Sequence, residues 1–150
     1  MAAGYAVAAM ILLAACVQQS GTQPVLSSSD LVATWVSPVG GSISFASDHR
    51  FTTSGLRLGK YWGGCAKTGR ISAAGTWQFL SPQGDSGVNP TGYSKGSLID
   101  LSFDQTPGPS PIDCIGGAMT LTSWNLGSAR GLCLQMDPDT PCDGYVFAKN

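Results

Sequence analysis

The sequence predicts an all-β fold, a small antiparallel up-and-down barrel of about eight strands or a β-sandwich, behind an N-terminal signal helix. Three observations carry this. Apolar and polar residues alternate at period two in several short runs, as at 42–46, where Ile43 and Phe45 share one face and Ser42 and Ser44 the other. Turn formers separate these runs, with 20 Gly and 9 Pro in 150 residues. Helix formers are scarce beyond the first residues: the 9 acidic residues are all Asp, and Glu is absent.

The chain opens on an apolar stretch over residues 2–15, interrupted by Gly4 and Tyr5. It has the length of a signal-peptide core and is shorter than the roughly 20 residues of a membrane span. It ends Leu13-Ala14-Ala15-Cys16, which resembles the bacterial lipobox: an aliphatic residue and two small ones before a cysteine. Small residues let an extended chain enter the signal peptidase, and the Cys16 thiol accepts the lipid. Residues 1–15 are therefore expected to be a lipoprotein signal peptide. The basic opening of such leaders is missing, since the first charged residue is Asp30, and a start upstream of Met1 is the expected explanation. A mature lipoprotein carries at least two acyl chains, enough for durable anchoring. Residues 16–29 are polar and lack an apolar face, so a flexible tether is expected there. One domain, 30–150, follows.

Strands are predicted at 31–36, 42–46, 50–54, 75–80, 97–103, 118–124, 131–136 and 144–149. Trp77 and Phe79 share a face of the fourth, and Ile99, Leu101 and Phe103 share a face of the fifth. Ser47-Asp48-His49 reads as a hairpin turn, and 118–124 and 131–136 are expected partners across Gly127-Ser128. Residues 81–96 and 104–113 are long connections. Ala33-Thr34-Trp35 before Ser37-Pro38 is echoed by Gly75-Thr76-Trp77 before Ser81-Pro82, which reads as two similar hairpins.

These motifs, with Asp-Pro-Asp at 137–139 and Tyr-Val-Phe at 145–147, resemble a group of small uncharacterised actinobacterial lipoproteins and the lipocalin-like small barrels. The resemblance covers most of 30–150. It implies a barrel whose floor is plugged by an early Trp, here Trp35, and it implies no activity. The chain departs from the pattern at Ala33, where the group has Gly, and at His49-Arg50, where it has Gly-Thr. Both departures touch turn chemistry.

Of the 5 cysteines, Cys16 takes the lipid. Cys65, Cys114, Cys133 and Cys142 are expected to form two disulfides, with three pairings open. The expected strand returns favour Cys114 with Cys142, leaving Cys133 for Cys65. Cys133 with Cys142, closing a short loop within one hairpin, is the main rival. Zinc is disfavoured, because no Cys-x-x-Cys spacing exists and His49 is remote.

Gly84-Asp85-Ser86-Gly87, with His49 upstream, suggests a serine hydrolase. The flanking residues do not continue that family's motif, and a short string does not make a triad. His49, beside Asp48 in a tight turn, reads as a solvated turn residue. Asp137, Asp139 and Asp143 have oxygen ligands for calcium but lack EF-hand order. Trp35, Trp77 and Trp124 read as core. Tyr61 and Trp62, beside Gly63-Gly64, suit an exposed binding rim. Net charge of -1 gives no argument for nucleic acid.

The expected function is therefore a lipid-anchored binding module at the cell membrane, facing outside the cytoplasm. No catalytic set, metal or cofactor is expected. The ligand would be a small apolar or amphipathic molecule at the barrel mouth, near Tyr61 and Trp62. The alternative is a cell-envelope interaction protein with a filled core, and a third reading is an extracytoplasmic hydrolase. A cavity lined by Ile43, Phe45, Trp77, Ile99 and Leu101 would favour the first. Cys16→Ser is expected to abolish lipidation and to leave the precursor uncut. Labelled palmitate incorporated equally by mutant and wild type would refute the lipid anchor.

Overall fold

Period-two alternation becomes a closed wall of antiparallel strands. The computed structural model describes residues 23–60, 63–65, 69–80, 92–105, 112–126, 128–134, 142 and 145–150. Their elements in chain order are β1 (Leu26–Ser27), α1 (Ser28–Leu31), β2 (Thr34–Val36), β3 (Ser42–Phe45), β4 (Arg50–Leu56), β5 (Ile71–Phe79), β6 (Lys95–Gly96), β7 (Leu98–Phe103), β8 (Ala118–Leu126), β9 (Ala129–Leu134) and β10 (Val146–Lys149). Short 3₁₀ turns stand at Leu58–Lys60, Gly63–Cys65 and Asp113–Ile115. The closed barrel runs β2-β3-β4-β5-β7-β8-β9-β10 and returns to β2. It is an eight-stranded barrel and not a sandwich.

Every wall strand gives apolar residues to the inner face: Trp35, Ile43 and Phe45, Phe51, Trp77 and Phe79, Ile99, Leu101 and Phe103, Met119 and Leu121, Leu132, and Phe147 are all buried. Gly75 lets the wall close around these rings. A Cβ there would stand 2.1 Å from the Ser102 carbonyl oxygen and 2.7 Å from the Phe51 ring. Glycine lets Phe51 and Phe103 meet edge to face at 5.1 Å. The register shifts between Thr53 and Leu56. There the buried Thr53 hydroxyl accepts from the Ala73 N–H at 3.0 Å, so the irregularity leaves that donor satisfied.

The turn between β3 and β4 carries His49 at φ 62, a left-handed conformation that His tolerates better than most residues. Asp48 Oδ1 accepts from the Arg50 N–H at 3.0 Å, and the His49 ring stacks on Trp77 with centroids 4.4 Å apart. His49 is thus occupied in the turn, whose residues 47–49 are exposed.

Residues 23–29, placed in the tether by composition, are part of the domain. Leu26 and Leu31 are both fully buried. Leu26–Ser27 pairs with Lys95–Gly96, and the Ser28 N–H donates to Ser94 O at 3.1 Å. The buried Ser123 hydroxyl donates to Pro24 O. Ser27 and Asp30 form a reciprocal capping box at α1. Trp35 Nε1 donates to Leu31 O at 2.8 Å, which ties this segment to the barrel floor. The folded domain therefore includes residues 23–29.

Antiparallel order puts successive connections at opposite ends of the barrel. Among the described residues, the near end holds the incoming segment 23–33, the turn 46–49, residues 80 and 92–97, Ser128 and Asn150. The far end holds 37–41, 57–60, 63–65, 69–70, 104–105, 112–117, Cys142 and Tyr145. Among the described residues no helix is long and apolar enough to cross a membrane.

Candidate functional site at the far end of the barrel

Long connections cost conformational entropy to order. At the far end they are tied to one another and to the wall. The Tyr145 hydroxyl, on a residue only 1% exposed, donates to Gly40 O at 2.6 Å and accepts from the Arg57 N–H at 2.9 Å. One side chain thus joins 37–41, 57–70 and 135–145. Its ring meets Phe147 edge to face at 5.0 Å, which roots the tie in the core.

The disulfides complete the set. Cys65 bonds to Cys114 with Cα atoms 5.0 Å apart, and Cys133 to Cys142 at 5.8 Å. Both spacings lie in the usual range for a disulfide. The first joins 57–70 to 104–117, and the second fastens 135–145 to β9. The expected pairing of Cys114 with Cys142 and of Cys65 with Cys133 is overturned, and the short-loop rival is correct. The reason is register. Val146 pairs directly with Cys133, so Cys142 lies only four residues before the strand partner of that cysteine. Cys114 precedes β8 in the 3₁₀ turn Asp113–Ile115, which meets the turn Gly63–Cys65.

The turn 37–41 lies flush against the end of β4. Gly41 has φ +93, and a Cβ there would come within 2.9 Å of Gly55 O and Leu56 Cα. Beside it Val39 stands 47% exposed, an apolar side chain presented by this end. Tyr61 and Trp62 fall within the connection 57–70, but both lie outside the described residues, as do Cys16, Ser86, Asp137, Asp139 and Asp143.

The interior is occupied. Ile43, Phe45, Trp77, Ile99 and Leu101 are at most 4% exposed. Phe45 meets Trp77 edge to face at 6.0 Å, and Trp77 meets Phe79 at 5.6 Å. Trp35 is buried at the near end, whereas Trp124, read as core, is half-buried. A pocket of about 220 Å³ lies at the near end, between the incoming segment and the β9–β10 seam. Among the described residues no three His, Cys, Asp or Glu side chains gather to hold a metal ion.

Among the described residues the far end is thus cross-tied by one hydroxyl and two disulfides on a closed barrel. No family model matches the chain, and no curated protein or solved structure matches it either.

Tyr145→Phe keeps the ring and removes the tie. The partly buried Arg57 N–H and Gly40 carbonyl lose their partner, which costs about 1–3 kcal/mol. Urea unfolding with both disulfides intact measures this. A midpoint equal to that of wild type would show that the hydroxyl does not hold the far end together.

Proposed function

We propose that this chain is a lipid-anchored, extracytoplasmic binding module that engages a cell-envelope protein through the far end of its barrel. The observation that carries the reading is polarity: the chain joins the barrel at the near end, and the tied connections stand at the opposite end. If Cys16 carries the lipid, only residues 17–22 lie between it and the first described residue. At roughly 3.5 Å per residue, that stretch spans about 25 Å at most. The near end then stays close to the bilayer and the far end faces outward.

Two further features support a protein partner over a molecule held inside. The inner face is filled by rings that meet one another. At the far end a hydroxyl joins Gly40 and Arg57 to Tyr145, and two disulfides hold Cys65 to Cys114 and Cys133 to Cys142, which lowers the entropy lost at those residues when a partner docks. The exported setting fits both disulfides.

The test is a photo-crosslinking residue placed, in separate variants, at Val39, Thr52 and Ser128 in cells making the lipidated chain. These positions sample the far end, the outer wall and the near end, and all three are exposed. A discrete protein adduct at Val39, absent at Thr52 and Ser128, is the expected result. Protein adducts at Thr52 or Ser128 with none at Val39 would contradict the reading.

A further inference from the structure

The near end carries a charge arrangement that the fold does not require. The β9–β10 register pairs Phe147 with Leu132 and Ala148 with Gly131. One step further it sets Lys149 across from Arg130. Directly opposed strand residues have Cβ atoms about 5 Å apart, where like charges repel. Alternation puts both on the inner side, following Phe147 and Leu132, at the rim of the mouth.

Among the described residues that line the pocket beside this pair, the carboxylate is that of Asp30, and it is already engaged. Asp30 Oδ2 accepts from the Ser27 N–H at 3.0 Å and from the Ser27 hydroxyl at 2.7 Å. Those bonds hold the Asp30 carboxyl below its usual range and keep it ionised. Arg130 reaches it only at 3.7 Å and remains half exposed. Lys149 Nζ donates to the Asp30 backbone carbonyl at 2.7 Å and lies over the Trp35 ring, 5.8 Å from its centroid. Two cations thus share one committed anion.

Arg130, Lys149 and Asp30 line the pocket of about 220 Å³. Leu26, Trp35 and Ala148 form apolar parts of its wall. The volume is below that of drug-sized sites and suits a compact head group. Val25, beside the incoming chain, is 54% exposed at this same end.

The geometry points to a seat for the phosphate of an anionic phospholipid, with Arg130 and Lys149 on the phosphate oxygens and the apolar wall against the glycerol carbons. This rests on the proposed lipid anchor for its orientation: a tether of about 25 Å keeps the pocket within reach of the head groups of the membrane that holds the chain. Arg supplies a planar fork of donors and Lys a point charge, a pairing suited to phosphate. The bound phosphate would relieve the repulsion between the two cations. It would also hold the barrel upright, with its far end turned outward.

The experiment uses the purified full chain carrying Cys16→Ser, so it does not depend on lipidation. The probe is dihexanoyl phosphatidylglycerol, kept monomeric, and the readout is the NMR shift of the Trp35 indole N–H and the Arg130 side chain. Saturable shifts at both are expected. Arg130→Gln and Lys149→Gln should each weaken binding by roughly fivefold or more. Arg70→Gln, which removes an exposed cation at the far end, should leave binding unchanged. Binding weakened equally by Arg70→Gln would mean diffuse attraction and overturn the seat. Inorganic phosphate binding as tightly as the lipid would assign the pocket to free phosphate and overturn the phospholipid. Absence of any shift at Trp35 would overturn it as well. Palmitate incorporation at Cys16 would be untouched by each of these failures, so the anchor and the seat are tested separately.

Discussion

Closure of the barrel rests on β10. It is the last strand in the chain, and it hydrogen-bonds to β9 on one side and to β2, the first wall strand, on the other. Without it two edges would open and the aromatic interior would face water. Residues of this one segment also define both ends. Tyr145 roots the far-end connections, Phe147 fills the interior with no exposure, and Lys149 stands at the near-end rim. Truncating a buried ring such as Phe147 typically costs about 3–5 kcal/mol, a large share of a small domain's stability. Filling, closure and the division into two ends therefore depend on the same few residues.

Both disulfides fall on one side of that division, at the far end. At the near end the incoming segment is held instead by Leu26, Leu31 and its pairing with β6. Disulfides restrain the unfolded chain more when they close longer loops. The Cys65–Cys114 bond spans 49 residues and Cys133–Cys142 spans 9, so the first restrains the chain more and the second mainly fixes a local path.

The wall of the barrel is legible in the sequence where large apolar residues alternate. Ile43 with Phe45 in β3, and Ile99, Leu101 and Phe103 in β7, mark their strands without ambiguity. The first half of β5 is hidden, because Ala73 and Gly75 occupy positions where a large side chain would betray the period. The incoming segment is hidden for another reason. Its partners, Ser94, Lys95–Gly96 and Ser123, are distant in the chain, and only tertiary contact turns a serine-rich stretch into β1 and α1. The Ser27-x-x-Asp30 capping box was the one local signal there. At the candidate sites the residue types could be read and their partners could not. The disulfide pairing follows from Val146 meeting Cys133, and the Arg130–Lys149 pair from the same register, which a shift of one residue would undo. The Tyr145 tie joins residues as far apart as 40 and 145 and has no counterpart in any local pattern.

The central claim is that the barrel is a strut with one end at the bilayer and the other turned outward. Fluorophores at Ser128 and at Val39 of the lipidated protein, read against a quencher attached to lipid head groups, measure this most directly. The account predicts strong quenching at Ser128 and little at Val39. Equal quenching at both positions, or the reverse order, would contradict it.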